Sequence, residues 1–191
     1  MVLEIKDAVK LMQNTRALNG FELKLDAGKR VVINGLYAHE LIDVLLGEPI
    51  DSGQILLEGR PIGESRNLVG IVTRDAALPP KLSVCDCVRL CCKDNPLKYL
   101  KAAGIEPIKS AHIERLSLIE RKLVMLACAS AKRPKLLAAS LYGLTAREHK
   151  VFWQAADNAL DASCAIIAVD ALNVRNMKQY YLTEGKLKLR D

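Results

Sequence analysis

Aromatic residues and long apolar runs are both scarce in this chain. Phenylalanine, tryptophan and tyrosine make up 4% of its 191 residues, and without an arginine cluster or a recognition-helix pattern this composition disfavours nucleic acid as a partner. No apolar stretch reaches the roughly 18 residues that a membrane-spanning helix needs. The N-terminal stretch MVLEIKDAVK carries acidic side chains where a signal peptide would have its apolar core. These absences predict a cytoplasmic protein that reaches a membrane only indirectly, through another protein.

The fold is not expected to need disulfide bonds, although the sequence contains six cysteines. A chain of this length can bury a sizeable core, and without an export signal its thiols are expected to stay reduced. Cys85, Cys87, Cys91 and Cys92 cluster in one predicted helix. Cys87 and Cys91 lie one helical turn apart and could share a metal, but the cluster is spread over more than one face of the helix. Because free cysteine commonly fills small apolar positions, we predict no metal site and leave the role of these cysteines open.

The remaining composition is that of one folded domain. Hydrophobic residues make up 50% of the chain and charged residues 26%, as in ordinary globular proteins. The formal net charge is +6, but the basic residues are interleaved with 22 acidic ones, which is typical of a solvated surface. Since a single core can grow to roughly 250 residues, we predict a single domain over residues 1–191.

The order of hydrophobic patterns indicates an α/β fold. VLEIKDAV and FELKLDAG alternate apolar and polar residues, as half-buried antiparallel strands do, whereas KRVVIN is continuously apolar, as in a parallel sheet covered on both faces. Further strands are predicted in SGQILLEGRPI, NLVGIVTR, PKLLAAS and CAIIAVDAL, and a hairpin in YYLTEGKLKL with its turn at Glu184-Gly185. Capping residues predict the helices VCDCVRLCC after Ser83, PLKYLKAA after Asn95, LIERKLVMLACASAKR after Ser117, and one after Thr145 that includes Phe152 and Trp153.

In this order, the segments resemble the ATP-binding cassette of ABC transporters over essentially the whole chain. The stretches that carry the resemblance are LDAGKRVVINGL, DSGQILLEGRPIG, RLSLIERKLVMLACASAKRPKLL, LYGLTAREHKVFW and YYLTEGKL. The resemblance implies a P-loop NTPase-like cassette fold with a mixed sheet, an N-terminal antiparallel β part and a shortened helical insert at approximately residues 82–116. It also implies a phosphate-binding strand, loop and helix in VVINGLYAHELIDVLLGE, residues 31–48.

The family's phosphate loop, G-x-x-G-x-G-K-[ST], uses glycines to curl backbone amides around phosphates, a lysine to neutralise them and a hydroxyl to hold magnesium. A gapless alignment on Asn34-Gly35 puts Val32 at the first glycine, Tyr37 at the third, Ala38 at the lysine, and His39 and Glu40 at the hydroxyl pair. A tyrosine at positive φ would cost on the order of 1 kcal/mol and would block the phosphate cavity. Glu40, in the first helical turn, would repel a phosphate and is predicted to take the place of the missing anion. We therefore predict a degenerate phosphate loop and no cofactor at Asn34, Gly35, Tyr37, Ala38, His39 and Glu40.

The catalytic positions that the resemblance implies are also replaced. The magnesium-binding aspartate falls at Ser140 or Ala138, and no carboxylate lies in either register. The γ-phosphate-sensing glutamine is Arg74 in this chain. The switch histidine falls at Asp170 or Ala171, with no histidine nearby. The resemblance therefore implies the fold without the residues that hold magnesium and activate water.

The contacts to adenine and to a partner's nucleotide are reduced as well. The signature L-S-G-G-Q becomes LSLIE, which keeps Ser117 but replaces the glycine pair by Leu118 and Ile119. The aromatic residue that stacks on adenine, expected near Leu11 or Met12, is missing.

These replacements predict a non-catalytic ABC ATPase-like subunit, a structural or regulatory interaction protein that does not hydrolyse ATP. Its candidate interface consists of Tyr37, Arg74, Ser117, Leu118 and Ile119, whose apolar members are expected to be covered by protein. The partner would be a second copy of the chain, an intact ABC cassette or a permease. Two alternatives stay open: weak nucleotide binding without turnover, and an ATP-binding subunit of an ABC transporter that pairs with an active cassette and a permease.

Overall fold

The computed structural model describes residues 1–13, 15–172 and 177–189. Its strands are β1 (Leu3–Met12), β2 (Thr15–Leu25), β3 (Arg30–Gly35), β4 (Ser52–Leu57), β5 (Arg60–Pro61), β6 (Val69–Val72), β7 (Leu136–Ser140), β8 (Ala165–Val169), β9 (Lys178–Thr183) and β10 (Lys186–Leu189). Its α-helices are α1 (Ala38–Leu45), α2 (Val84–Arg89), α3 (Pro96–Ala102), α4 (Leu118–Ala131) and α5 (Ala146–Ala159). Short 3₁₀ turns lie at Ile62–Glu64, Arg66–Leu68, Glu106–Ile108 and Ile113–Arg115.

The N-terminal part is an antiparallel sheet with the strand order β2-β1-β4-β5. Leu3 and Ile5 of β1 lie opposite Leu25 and Leu23 of β2, and all of them are buried. The predicted antiparallel strands are confirmed. Both strands are longer than the alternating segments of the sequence, because β1 continues to Met12 through register shifts that keep it paired with β2.

The second sheet has the strand order β10-β9-β3-β8-β7-β6 and is parallel from β9 to β6. Every residue of β7 and β8 is buried, as the continuous apolar patterns predict for strands covered on both faces. The terminal hairpin is confirmed, with Glu184 and Gly185 at φ of 51° and 75°, as a two-residue hairpin turn requires. Its strand β9 also pairs with β3, so the hairpin extends the parallel sheet and makes it mixed.

Two hydrophobic cores lie on opposite faces of this sheet. Val31 and Ile33 of β3 point into one core, together with α1 and the antiparallel sheet. Val32, between them, points into the other core, which is built from the four helices α2 to α5. This alternation follows from the period of two in a strand, and it places α1 and α4 on opposite faces of the same sheet.

The helix starts are where the capping residues predict them. Ser117 and Thr145 each form a complete capping box, with Glu120 and Glu148 respectively. Ser83 accepts a hydrogen bond from the Asp86 amide at 3.1 Å. The helix predicted after Ser83 is shorter than expected, because α2 ends at Arg89 and leaves Cys91 and Cys92 outside it.

The segment between β6 and α4 holds α2 and α3, within the range predicted for the helical insert. In the described part of the chain, no helix combines the length and the apolar character that crossing a bilayer requires.

Candidate functional site

The C-terminal ends of β3, β8, β7 and β6 lie at one edge of the parallel sheet. Ligands of open α/β sheets bind at this edge, and we call it the strand-end edge. The segments that follow three of these strands bring predicted site positions together there, namely Tyr37 after β3, Asp170 and Ala171 after β8, and Arg74 after β6. Tyr142, which follows β7 and was not predicted, lies at the same edge. Leu118 of α4 also lies close, since a Cβ added to Gly143 would be 2.8 Å from its Cδ2 atom.

The connection from β3 to α1 consists of two residues, Leu36 and Tyr37. Val32, which the gapless alignment puts at the first glycine, is a fully buried residue of β3 paired with Ala168 on one side and Gln179 on the other. The family's motif spans about eight positions, so this connection is shorter than the loop that curls around phosphates. Gly35 is required here for another reason, because a Cβ at this position would lie 2.3 Å from the Leu182 carbonyl oxygen.

Tyr37 occupies the N-cap position of α1 without backbone strain. Its φ is −113° and its side chain makes no capping hydrogen bond, so the strain expected for a tyrosine at positive φ is absent. The ring is half-buried and packs against the core around α1. Ala38, at the expected position of the lysine, is fully buried. The start of α1 therefore presents packing groups at the positions that the resemblance assigns to phosphate contacts.

Glu40 lies in the first turn of α1, as predicted, and is only 5% exposed. Its Oε1 atom is 3.1 Å from Nε2 of His39. Its backbone amide donates to the Tyr37 carbonyl at 3.1 Å. A carboxylate near the positive end of a helix is electrostatically favourable and disfavours a second anion there.

Lys122 of α4, which no sequence motif marked as a site residue, is a fully buried lysine at this edge. Its Nζ atom donates to the carbonyl oxygens of Thr73 at 3.1 Å, Arg74 at 3.1 Å and Ser140 at 2.8 Å. Burial lowers the pKa of Lys122 to about 8, while the carboxylates of Asp170 and Asp75 act in the opposite direction. The side chain is therefore mainly charged at neutral pH. Its position one helical turn after Leu118 and one before Leu126, on the apolar stripe of α4, could have marked it in the sequence.

The sheet register separates Ala138 from Ser140, the two candidate positions in β7. Ala138 is in the middle of β7, between Ile71 and Ile167, whereas Ser140 is the last residue of the strand. The buried Ser140 hydroxyl donates to Asp170 Oδ2 at 3.2 Å. Ser140 is thus the residue at the strand end, and its side chain contacts a neighbouring side chain of the same edge.

The Asn34 side chain connects the end of β3 to the segment after β8. Its amide nitrogen donates to the Ala171 carbonyl at 2.9 Å, and its oxygen accepts from the Ala171 amide at 3.0 Å. Asn34 therefore satisfies both backbone groups of Ala171. A reciprocal pair of this kind holds the two strand ends together without a ligand.

Arg74 and Tyr142 form a pair on the surface of the same edge. The Arg74 guanidinium carbon lies 3.7 Å from the centre of the Tyr142 ring, which is within the range of a cation–π contact. Hydrogen bonding to Tyr142 raises the pKa of Arg74. Arg74 is half-buried and Tyr142 half-exposed, so both remain accessible to a partner.

The other residues predicted for the interface are partly used inside the chain. Ser117 is exposed, but its hydroxyl donates to Glu120 Oε2 at 2.7 Å within the capping box. Leu118 and Ile119 are half-buried against the helical core. Larger apolar exposure comes from residues that the sequence analysis did not single out, with Leu36 exposed by 77% and Leu172 by 48%.

The residues at the strand-end edge do not fit a magnesium ion. Mg²⁺ prefers carboxylate and water oxygens in octahedral geometry, whereas β7 ends in a serine and the Lys122 ammonium already takes up the carbonyls of three neighbours. Within residues 1–13, 15–172 and 177–189, no group of three or more histidine, cysteine or carboxylate side chains could hold a metal.

The cysteines predicted in one cluster separate in the structure. Cys87 and Cys91 line an apolar cavity of about 360 Å³ together with Cys128 of α4. Burial raises the pKa of the Cys87 and Cys128 thiols, which makes them poorer metal ligands and nucleophiles. Cys85 and Cys92 are not among the residues of this cavity, and Cys92 contacts the Asp94 carbonyl at 3.2 Å.

A curated protein is weakly similar in sequence to this chain. No protein-family model matches it. The ribose import ATP-binding protein RbsA of Rhodopirellula baltica is 23% identical over 197 residues, which cover 88% of this chain and 38% of that protein. The chain thus spans well under half of the relative's length.

Solved structures match the fold more completely. A nucleotide-free ATP-binding cassette from an ABC transporter has a TM-score of 0.81 at 16% identity, with 97% of this chain and 89% of that chain covered. An ATP-binding cassette in a dimeric post-hydrolysis state, bound to ADP and Pi, has a TM-score of 0.80 at 17% identity, with 97% and 96% covered. Identities this low establish the fold alone. The chain therefore has the fold of the ATP-binding cassette of ABC transporters, as the sequence resemblance implied.

Proposed function

We propose that this chain is a cassette subunit of an ABC-type assembly that has no ATPase activity of its own and acts through protein contacts. The subunit role is supported by the relative and the two structures, which are named as ATP-binding proteins or cassettes. The lack of turnover is supported by the geometry of the strand-end edge. The observation that carries it is the Lys122 ammonium on three backbone carbonyls.

The turn between β3 and α1 adds a second argument against nucleotide binding. Phosphate loops use a series of free backbone amides and a lysine to offset the charge of a triphosphate. Here the connection has two residues, and the first helical turn carries the Glu40 carboxylate and the buried Ala38 side chain. A phosphate would meet too few donors and one repulsive carboxylate.

The water-activating step of hydrolysis also has no counterpart at this edge. In the family, a glutamate follows the magnesium-binding aspartate and orients the attacking water. Here the corresponding residues are Ser140 and Leu141, both buried, and the Asp170 carboxylate accepts a hydrogen bond from Ser140. This supports the proposed lack of hydrolysis, because neither Ser140 nor Leu141 carries a carboxylate that could act as a general base.

Protein contacts are supported by the apolar side chains around this edge. We call Leu36, Tyr142 and Leu172 the edge patch; they follow β3, β7 and β8 and are exposed by 77%, 50% and 48%. Apolar side chains grouped in this way favour a protein interface. We propose that a second copy of the chain or an intact cassette covers the edge patch in the cytoplasm.

Calorimetry with ATP and magnesium, combined with a phosphate-release assay, tests the lack of nucleotide chemistry. We expect no saturable heat and no phosphate release above the buffer control. Saturable binding together with phosphate release would refute the proposal. Saturable binding without release would instead support a nucleotide-binding subunit.

Light scattering of edge-patch variants tests the protein contact. Leu36→Glu places a charge on the edge patch, whereas Leu189→Glu changes a leucine of β10 that is 61% exposed and serves as the matched control. If the edge patch joins two copies, the wild type and Leu189→Glu have the mass of a dimer and Leu36→Glu that of a monomer. A monomeric wild type would contradict self-association and leave an intact cassette as the partner.

The second candidate function is an ATP-binding subunit that pairs with an active cassette and a permease. The names of the relative and of the matched structures favour this reading. It predicts magnesium-dependent ATP binding that strengthens when the active cassette is present.

A further inference from the structure

We propose that the Lys122 ammonium is an internal cation that replaces a bound metal ion at the strand-end edge and holds the ends of β6 and β7 together there. The inference deepens the proposed function, because it names the group that occupies the site. It rests on the contacts of one side chain and not on the absence of a ligand.

The first argument is the complete use of the ammonium donors. A lysine ammonium has three N–H donors, and Nζ of Lys122 has three acceptors at 2.8 to 3.1 Å. The acceptors are backbone carbonyls of the segment after β6 and of the last residue of β7. Carbonyl oxygens converging on one positive charge resemble the oxygen ligands of a hard cation.

The second argument is the positions from which these carbonyls come. The resemblance places the γ-phosphate-sensing glutamine at Arg74, and the register places Ser140 at the strand end expected for the magnesium-binding aspartate. Lys122 binds the backbone of both residues. One side chain from α4 thus connects the two positions that a metal–nucleotide complex would connect.

The third argument is charge. Lys122 is fully buried, and a buried ammonium is retained only where acceptors and opposite charges offset the loss of water. The carboxylates of Asp170 and Asp75 raise the pKa of Lys122, and the cations Arg74 and Arg121 lower it. Asp170 also accepts from Ser140, whose carbonyl binds Lys122. Lys122, Ser140 and Asp170 are therefore connected through hydrogen bonds at this edge.

Thermal unfolding of Lys122 variants tests the inference without any nucleotide. We expect Lys122→Met, which keeps most of the side-chain volume but leaves the carbonyls and Asp170 without the charge, to lower the unfolding midpoint by roughly 5 to 15 °C. Lys132→Met, which removes an exposed lysine at the end of α4, is the matched control and should stay within about 2 °C.

Chemical rescue separates a cation from a packing role. We expect methylammonium chloride to raise the midpoint of Lys122→Ala by several degrees, because this ion can fill the cavity and donate hydrogen bonds. Tetramethylammonium chloride at the same ionic strength, which cannot donate, should not. Equal effects of the two salts would overturn the inference, as would a Lys122→Met variant as stable as the wild type.

A measurement on the wild type covers the case in which the variants do not fold. Nitrogen NMR of the chain labelled at lysine should show a slowly exchanging ammonium resonance for Lys122 at pH 7, assigned through its bonded carbons. A rapidly exchanging or neutral amine would overturn the inference. These outcomes do not depend on ATP, so they are distinguishable from a failure of the proposed function, which calorimetry of the wild type would reveal.

Discussion

The turn after β3 and the ends of β6, β7 and β8 belong to the same edge of the parallel sheet, but their polar groups are satisfied in different ways. The turn is short: two residues connect Gly35 to Ala38, and packing groups occupy the helix start. At the ends of β6 and β7, backbone carbonyls instead bind a buried cation, the Lys122 ammonium. The β3 side of the edge has a connection too short to form a phosphate loop, whereas the β6 and β7 side is occupied by the Lys122 side chain. The difference shows that one edge of a sheet can satisfy its polar groups in two ways, by a short connection and by a buried side chain.

The largest effect is expected at the closed turn. Gly35→Ala should lower the free energy of unfolding by about 3 kcal/mol or more, because the new Cβ would lie 2.3 Å from the Leu182 carbonyl and φ is 138°. Gly63→Ala is the control, since a Cβ there meets nothing within 4 Å. Urea unfolding of both variants measures the difference. If Gly35→Ala were as stable as Gly63→Ala, the turn would not be held tightly against β9.

A smaller effect is expected where the two halves of the edge meet. Asn34→Ala removes both hydrogen bonds to the Ala171 backbone and should cost about 2 kcal/mol. Asn67→Ala, at an exposed position, should change stability by less than about 0.5 kcal/mol. The same urea titrations compare them. Equal stabilities would mean that the two halves of the edge do not depend on this connection.

A modest dependence of folding stability on pH is expected from His149, which lies near Lys122. Burial lowers the pKa of His149 below its usual value of 6.5; the neighbouring charges are Glu148, which raises it, and Lys122, which lowers it further. The unfolded chain therefore binds a proton at a higher pH than the folded chain, and stability contributed by neutral His149 is lost as the pH falls through 6.5 and below.

Between pH 7.5 and 5.5, we expect the free energy of unfolding to fall by about 1 kcal/mol less in His149→Gln than in the wild type. His112→Gln, which changes an exposed histidine, should leave the profile unchanged. Unfolding in urea at several pH values gives both profiles. An unchanged profile for His149→Gln would show that this histidine does not titrate differently in the folded chain.

The last prediction is that changing the turn after β3 alone does not produce ATP binding. It tests whether the turn and the Lys122 side of the edge act independently. Inserting Gly-Ser-Gly between Leu36 and Tyr37 together with Ala38→Lys lengthens the turn and adds the missing cation. We expect no saturable ATP binding below about 1 mM, because β7 still ends in a serine and the Lys122 ammonium still occupies the carbonyls of the other half of the edge. The insertion without Ala38→Lys controls for folding. Magnesium-dependent binding by the graft would show that the turn alone excludes nucleotide.

The sequence predicted the elements better than the site. Periodicity and capping residues placed the strands, the helices after Ser117 and Thr145, and the hairpin turn at Glu184-Gly185, because these depend on nearby residues. The motif spacing did not reveal that β3 continues through Val32 between β8 and β9, because that pairing joins segments far apart in the chain. Lys122 was missed because its partners are 18 to 49 positions away in the chain.

The sequence by itself determined which groups are present: apolar strands for two covered faces, capped helices, and a strand-end edge without a phosphate-binding lysine or a magnesium-binding carboxylate at the expected positions. These properties follow from residue type and local spacing. Tertiary structure alone decided how that edge is completed. Bringing β6, β7 and α4 together leaves backbone carbonyls that need donors in a buried place, and only the packed fold delivers the Lys122 ammonium to them.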